Sequence, residues 1–218
     1  MYEVVFYHLS ITHMKKYLAE WLGVFFLVLV AGMSSDAFTI GIALAIVVYA
    51  TAAISGGHIN PAVTLALRIN KKIQQKEALM YMAAQAVGAI VASLVCRYLT
   101  GSTMNVAPAQ GASWLQIGLG EFIFTFLLAS VVFYTAVSKK VAGNSYYGAA
   151  IGLTVFVGIM SVGGLTGGVF NPAVAFGPIL IDTFAGGNSY VYLPLYLVAI
   201  FAGGAVAALV YNQYEASK

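Results

Sequence analysis

The sequence has very little charge and a single cysteine. Only 8% of its 218 residues are Asp, Glu, Lys or Arg, whereas 61% are apolar. Soluble domains usually carry about 25% charged residues, because a surface in water needs them. The composition therefore argues against a soluble enzyme, a nucleic-acid-binding protein and a disordered chain, and it predicts a protein whose solvent is lipid. Cys96 has no partner for an internal disulfide, so no disulfide framework is expected.

Long apolar stretches divide the chain into candidate membrane spans. A helix needs about 20 predominantly apolar residues to cross about 30 Å of hydrocarbon. The stretches are continuous and do not alternate with period two, which favours an all-α membrane protein over a β-barrel. The six predicted spans are residues 17–33, 38–54, 78–99, 114–137, 146–163 and 190–213.

The basic residues predict the orientation of these spans. Arg97 lies on one side of a six-span arrangement, and the other nine basic residues lie on the opposite side. Cytoplasmic loops carry the excess of Lys and Arg, so both termini are predicted to be cytoplasmic in a membrane that the sequence does not identify. The nine residues are Lys15, Lys16, Arg68, Lys71, Lys72, Lys76, Lys139, Lys140 and Lys218.

The segment before the first span leaves alternatives open. Lys15 and Lys16 followed by an apolar stretch resemble a signal peptide, but five more spans follow and no convincing cleavage site is present. Residues 1–13 are either a surface segment or precede an alternative start at Met14.

The second half of the sequence repeats the first. Glu20 heads span one as Glu121 heads span four, and Gly41 in span two corresponds to Gly152 in span five. Each copy has three spans, an odd number, so the second copy must be inverted, which places a functional site near the midplane. We predict one membrane domain, residues 1–218, with repeat one at about 15–99 and repeat two at about 114–213. Two further matches align residues 56–63 with 167–174 and residues 81–95 with 196–210.

Each repeat carries an Asn-Pro-Ala segment directly after its second span. Asn60-Pro61-Ala62 and Asn171-Pro172-Ala173 open the apolar stretches 61–67 and 172–181, which are too short to cross a membrane. Asn is a good N-cap and Pro is favoured at the first helical position, so each segment predicts a half-helix. Two half-helices entering from opposite faces would meet by N-termini that each carry roughly +0.5 charge, an arrangement that repels cations.

These features together resemble the aquaporin, or major intrinsic protein, family from Lys15 to the end of span six. The resemblance implies six transmembrane helices and two re-entrant half-helices in an inverted three-span repeat. It also implies a homotetramer with one pore per protomer, open to water and to small neutral solutes such as ammonia, hydrogen peroxide or glycerol. It implies no enzymatic activity, cofactor, metal or nucleic-acid partner.

The same resemblance assigns roles to single residues. Asn60 and Asn171 would donate hydrogen bonds to permeating molecules, while Glu20 and Glu121 would accept hydrogen bonds from the loops and brace them. His58 is expected to pack or brace its loop rather than to act as a gate. The loop carbonyls expected to accept hydrogen bonds belong to Gly56, Gly57, His58, Gly167, Gly168 and Val169.

The sequence departs from the family at the second constriction, which usually contains an aromatic ring and an arginine. Spacing from the two asparagines assigns this filter to Ile40, Ile159, Gly168 and Val174, and none of the four has a polar side chain. The position of Ile40 depends on an alignment of span two that a shift of one helical turn would change. Val174 stands in the stretch NPAVAFGP, which resembles tonoplast-type members. The filter is therefore expected to be wider and apolar.

Three other functions remain in competition with a passive pore. A closed, mainly structural membrane protein is compatible with an apolar filter, because hydrophobic constrictions can close by dewetting. A transporter or ion channel shares the inverted repeat, but Glu20 and Glu121 are the only acids in the spans. An intramembrane enzyme would need a nucleophile with its base or a metal cluster, and the sequence has no such motif.

Overall fold

The computed structural model describes residues 2–216, and the side chains of residues 14–215. Within these residues the regular structure is helical. Lys218 and the side chains of the segment 1–13 lie outside the described residues, although the backbone of the first helix already begins at Tyr2. The helices are α1 (Tyr2–Met33), α2 (Ala37–Ser55), α3 (Pro61–Ile69), α4 (Gln75–Thr100), α5 (Trp114–Val132), α6 (Tyr147–Gly158), α7 (Pro172–Phe184) and α8 (Leu193–Ala216).

Six helical segments are long and apolar enough to cross a membrane, as the sequence predicts. Several begin earlier than the apolar stretches do, because polar residues extend a helix into the interface without adding to its hydropathy. Gln75, Lys76 and Glu77, for example, are all good helix formers at the start of α4. The segments are Met14–Met33, Ala37–Ser55, Gln75–Thr100, Trp114–Val137, Tyr147–Thr166 and Ser189–Glu215.

The two halves of the chain pack in the same way. Helix α1 lies along α4 as α5 lies along α8, and α2 packs against α6 where the halves meet. Gly41 and Gly152, which the repeat aligns, contact each other at this crossing, because a Cβ on either would overlap the carbonyl oxygen of the other. Backbone packing of small residues replaces the hydrophobic effect between helices in a membrane.

Helices α3 and α7 are the two predicted half-helices. Each packs mainly against a helix of the other repeat, α3 against α8 and α7 against α4. Helix α7 continues three residues beyond the predicted end at Ile181, because the polar residues Asp182 and Thr183 end the apolar stretch but not the helix, and the N–H of Ala185 still bonds to the carbonyl of Ile181. The connecting segments 70–74 and 138–146 lie on one surface of the molecule, which we name the lysine face. The connecting segments 34–36 and 101–113 lie on the other surface, which we name the opposite face.

Candidate functional site

The two asparagines of the Asn-Pro-Ala segments cap the half-helices at the centre of the molecule. The Oδ1 atom of Asn60 accepts hydrogen bonds from the backbone N–H groups of Ala62 at 2.8 Å and Val63 at 3.4 Å. The Oδ1 atom of Asn171 accepts one from Ala173 at 3.0 Å. Both side chains are buried. The capping fixes each amide so that its NH₂ group points away from its own helix.

Each asparagine also binds the opposite loop. Asn60 Nδ2 donates to the carbonyl oxygen of Phe170 at 2.9 Å, and Asn171 Nδ2 donates to that of Ile59 at 2.9 Å. An amide nitrogen carries two hydrogens, so one donor of each asparagine remains for another molecule. The sequence predicted both asparagines as donors, but it did not show that one of the two N–H groups of each amide joins the loops.

Ile59 and Phe170 hold a backbone conformation that side chains disfavour. Their φ angles are 49° and 47°, in the left-handed region, and both residues are fully buried. Such a residue costs of order 1–3 kcal/mol and persists only where its surroundings enforce it. Here the conformation turns each N–H group toward a buried acid and each carbonyl toward the opposite asparagine.

Glu121 is the buried acid behind the second loop. Its carboxylate accepts hydrogen bonds from the backbone N–H groups of Val169 at 3.0 Å and Phe170 at 2.8 Å, and from the hydroxyl of Thr166 at 2.7 Å. A carboxylate away from water is costly unless donors surround it. Val169 and Phe170 belong to the re-entrant segment and Thr166 ends the preceding span, so the acid holds the loop against that span.

Glu20 occupies the equivalent place behind the first loop. It accepts hydrogen bonds from the backbone N–H groups of His58 at 3.0 Å and Ile59 at 2.8 Å, and from the hydroxyl of Ser55 at 2.5 Å. Gln85 Nε2 adds a fourth donor at 2.8 Å, for which the second repeat has no counterpart.

A cavity of about 620 Å³ leads from the opposite face to both asparagines. All four residues of the predicted filter line it: Ile40, Ile159, Gly168 and Val174. Ile159 lies against Gly168, where an added Cβ would contact the Ile159 side chain and where φ is +65°. The wall of the cavity at the filter is therefore apolar, with no charged side chain.

A second cavity of about 320 Å³ opens toward the lysine face. The two cavities share lining residues, among them Gly57 and His58 in the first loop and Val63 at the start of α3. Each residue whose carbonyl is a predicted acceptor lines one or both of these cavities. Gly56 lines the second cavity, Gly167, Gly168 and Val169 line the first, and Gly57 and His58 line both.

Two features of the site could not be predicted from the pattern of apolar residues in the sequence. The chain forms a π-helical turn at Ile159–Gly163, so Ile159, a residue of the predicted filter, begins a local widening of the helix. At the mouth, Asp182 accepts hydrogen bonds from the hydroxyls of Ser189 at 2.5 Å and Thr103 at 3.0 Å. These bonds, that of Ser189 foremost, hold the pKa of Asp182 below its usual value, and they fix the segment that lines the cavity at Thr103.

The arrangement of two capped half-helices meeting inside an inverted repeat is matched by a known family. A family model described as "Major intrinsic protein" matches residues 8–211. The chain belongs to this family. The sequence is 35% identical to aquaporin AqpM of Methanothermobacter thermautotrophicus, over 94% of this chain and 98% of that protein. It is 39% identical to probable aquaporin TIP3-2 of Arabidopsis thaliana, over 83% of this chain and 67% of that protein.

The fold of this major intrinsic protein is also that of a solved relative. The X-ray structure of the aquaglyceroporin from Plasmodium falciparum has a TM-score of 0.79, with 23% identity, and covers 91% of this chain and 95% of that chain. The predicted fold class and family are therefore confirmed. The chain is a multi-pass integral membrane protein, and its family consists of passive channels for water and small solutes and not of enzymes.

The carboxylate of Glu121 can be tested by Glu121→Gln. The substitution keeps the size of the side chain but replaces one acceptor oxygen by an NH₂ group that faces backbone N–H donors. We expect a loss of about 1–3 kcal/mol, measured as a lower thermal unfolding temperature in detergent. Glu77→Gln is the control, since Glu77 forms a partly exposed ion pair with Lys16 at 2.8 Å that is worth about 1 kcal/mol or less. Equal unfolding temperatures for both variants would contradict a bracing role.

Proposed function

We propose that the protein is a passive channel for water and small neutral solutes, with one pore in each protomer of a homotetramer. The carrying observation is that the cavity from the opposite face reaches both asparagines and shares Gly57, His58 and Val63, beside Asn60, with the cavity from the lysine face. The cavity walls share residues of the first loop, which supports a single path. The name aquaporin, borne by the relative in Methanothermobacter, supports the same assignment.

The proposed path combines fixed donors and fixed acceptors. The free N–H of Asn60 and that of Asn171 donate to a passing molecule, and the carbonyl groups of residues 56–58 and 167–169 accept from it. A solute that loses water at the constriction is thereby offered replacement hydrogen bonds. Glu20 and Glu121 take no direct part, because donors from the loops and from the adjoining helix ends occupy their oxygens.

Ion exclusion is assigned to the half-helices. Helices α3 and α7 direct their N-termini at the same central point, and each terminus carries roughly half a positive charge. No acidic side chain is proposed to line the path there, so no negative charge offsets the repulsion of a cation by the two N-termini. The same scarcity of titratable groups disfavours a proton-coupled transporter.

The apolar filter sets the proposed range of solutes. Ile40, Ile159, Gly168 and Val174 offer width without a fixed charge, so water is joined by ammonia, hydrogen peroxide and small polyols such as glycerol. The competing proposal, a closed structural protein, requires this apolar segment to exclude water in every state.

Osmotic shock separates the two proposals. Proteoliposomes containing the purified protein are expected to shrink faster than empty liposomes in stopped-flow light scattering. They are also expected to re-swell in gradients of a permeant neutral solute. Shrinkage at the rate of empty liposomes, together with no solute flux, would support the closed protein.

Substitution Val174→Arg tests the filter. The arginine side chain would enter the cavity between the mouth and the asparagines, where it narrows the path and adds a fixed positive charge. Glycerol permeability is expected to fall several-fold more than water permeability, measured on the same vesicles. Val174→Leu, which adds bulk without charge, is the matched control. Equal losses for water and glycerol in Val174→Arg would show that residue 174 does not line the constriction.

We also propose that the lysine face is cytoplasmic. Lys139 and Gln110 are both exposed, on the lysine face and the opposite face respectively. In a Cys96→Ala background, Gln110→Cys is expected to react with an impermeant maleimide added to intact cells, and Lys139→Cys only after the membrane is opened. The reverse pattern would invert the orientation.

A further inference from the structure

One polar cluster behind the first loop breaks the symmetry of the repeat. His58, Thr64 and Gln85 lie together in repeat one. The positions that the repeat aligns with them are Val169, Ala175 and Ile200, all apolar and buried. Since the second loop is held in the same backbone conformation without such a cluster, the fold itself does not require these polar side chains.

The hydrogen bonds of the cluster can be assigned to individual hydrogens. Gln85 Nε2 lies 2.8 Å from Glu20 Oε2 and 3.1 Å from Thr64 Oγ1, so its two hydrogens are both used. Reversing the amide would place its oxygen against the carboxylate, which electrostatic repulsion excludes. The hydroxyl of Thr64 donates its single hydrogen to the carbonyl oxygen of Asn60 at 3.0 Å.

This assignment leaves the hydroxyl oxygen of Thr64 as an acceptor toward His58. The Nδ1 atom of His58 lies 3.1 Å from that oxygen, so Nδ1 must carry a hydrogen for the contact to be a hydrogen bond. In a neutral imidazole, Nε2 then carries a lone pair. The ring is held from one side by Tyr81, edge to face at 5.0 Å between ring centroids.

The side-chain oxygen of Gln85 shows that this arrangement has a cost in folding free energy. Oε1 is buried and has no hydrogen-bond partner in the described part of the chain. An unsatisfied buried acceptor usually opposes folding, and the apolar Ile200 at the aligned position shows an alternative without it. The two N–H donors of Gln85 are therefore the physical reason for an amide at this position.

We propose that Gln85 and Thr64 are positioning residues that fix His58 as its Nδ1–H tautomer, so that Nε2 is a hydrogen-bond acceptor on the pore wall. His58 lines both cavities and lies beside the asparagine pair, and its Nε2 has no protein partner among the described residues. This proposal rests on the proposed channel function. It makes His58 a specificity-determining residue that favours solutes with hydrogens to donate, as water, ammonia, hydrogen peroxide and glycerol all have, over solutes without them.

Nitrogen NMR of the histidine ring tests the tautomer directly. The full-length protein, labelled with ¹⁵N at histidine and reconstituted in lipid bilayers, is measured at about pH 8, where an ordinary histidine is neutral. The signals that His58→Val removes belong to His58. We expect a protonated Nδ1 and an unprotonated Nε2 in the parent protein. A protonated Nε2 would overturn the proposal.

Two substitutions in the cluster should change this signature. Thr64→Val is isosteric but lacks the acceptor, and Gln85→Ile copies the aligned residue of repeat two. Both are expected to give mixed tautomers, whereas Thr64→Ser keeps the hydroxyl and the Nδ1–H signal. Ile200→Val, which disturbs packing at the aligned position, is the control. An unchanged Nδ1–H tautomer in folded Thr64→Val and Gln85→Ile would assign the cluster a packing role only.

Stopped-flow permeability then tests the acceptor. In His58→Val the water permeability per reconstituted protein is expected to fall roughly two- to tenfold, the effect of one hydrogen bond on a barrier. Unchanged or higher permeability would overturn the proposed role of Nε2. A parent protein that conducts nothing would contradict the channel itself, whereas the tautomer is measured independently of conduction.

Discussion

Two reciprocal hydrogen bonds join the halves of this molecule at its centre, from Asn60 to the carbonyl of Phe170 and from Asn171 to the carbonyl of Ile59. Their geometry requires both carbonyls to point inward, which the left-handed conformation of the two residues achieves. That conformation is energetically unfavourable for a residue with a side chain, so it needs a compensating contact. Glu20 and Glu121 supply this contact by accepting the N–H of the same two residues. The acid and the strained residue of each repeat therefore form one unit with the asparagine of the other repeat.

The unit is symmetric in its backbone but not in the side chains around it. Tyr81 and Tyr196, which the repeat aligns, both donate to a carbonyl at the end of the preceding span, that of Ser55 and Thr166 respectively. Behind the first loop, however, Gln85 supplies a further donor to the acid, whereas Ile200 supplies only volume. A shared backbone can be held by either environment. The polar side chains behind the first loop can therefore have a role other than support of the backbone.

The sequence predicted the elements that depend on composition and local order. Continuous apolar stretches located the spans, and Asn followed by Pro located the starts of the half-helices, because capping is a local interaction. The repeat placed Gly41 opposite Gly152 in the alignment, and the structure has them in contact. The cross-loop bonds of Asn60 could not be predicted, because their acceptor lies 110 residues away in the chain. The π-helical turn at Ile159 also has no signature in an apolar run.

The ion exclusion proposed for this chain depends on where its few charges lie. The proposed filter has Val174 where the family usually has arginine, so its four residues supply neither a fixed positive charge nor a polar side chain. The proposed barrier to cations then arises mainly at the asparagines, from the N-termini of α3 and α7. Those dipoles act only while the two termini face each other, and the reciprocal asparagine bonds hold them there. The same interaction that joins the halves would thus also set the selectivity of the proposed channel against ions.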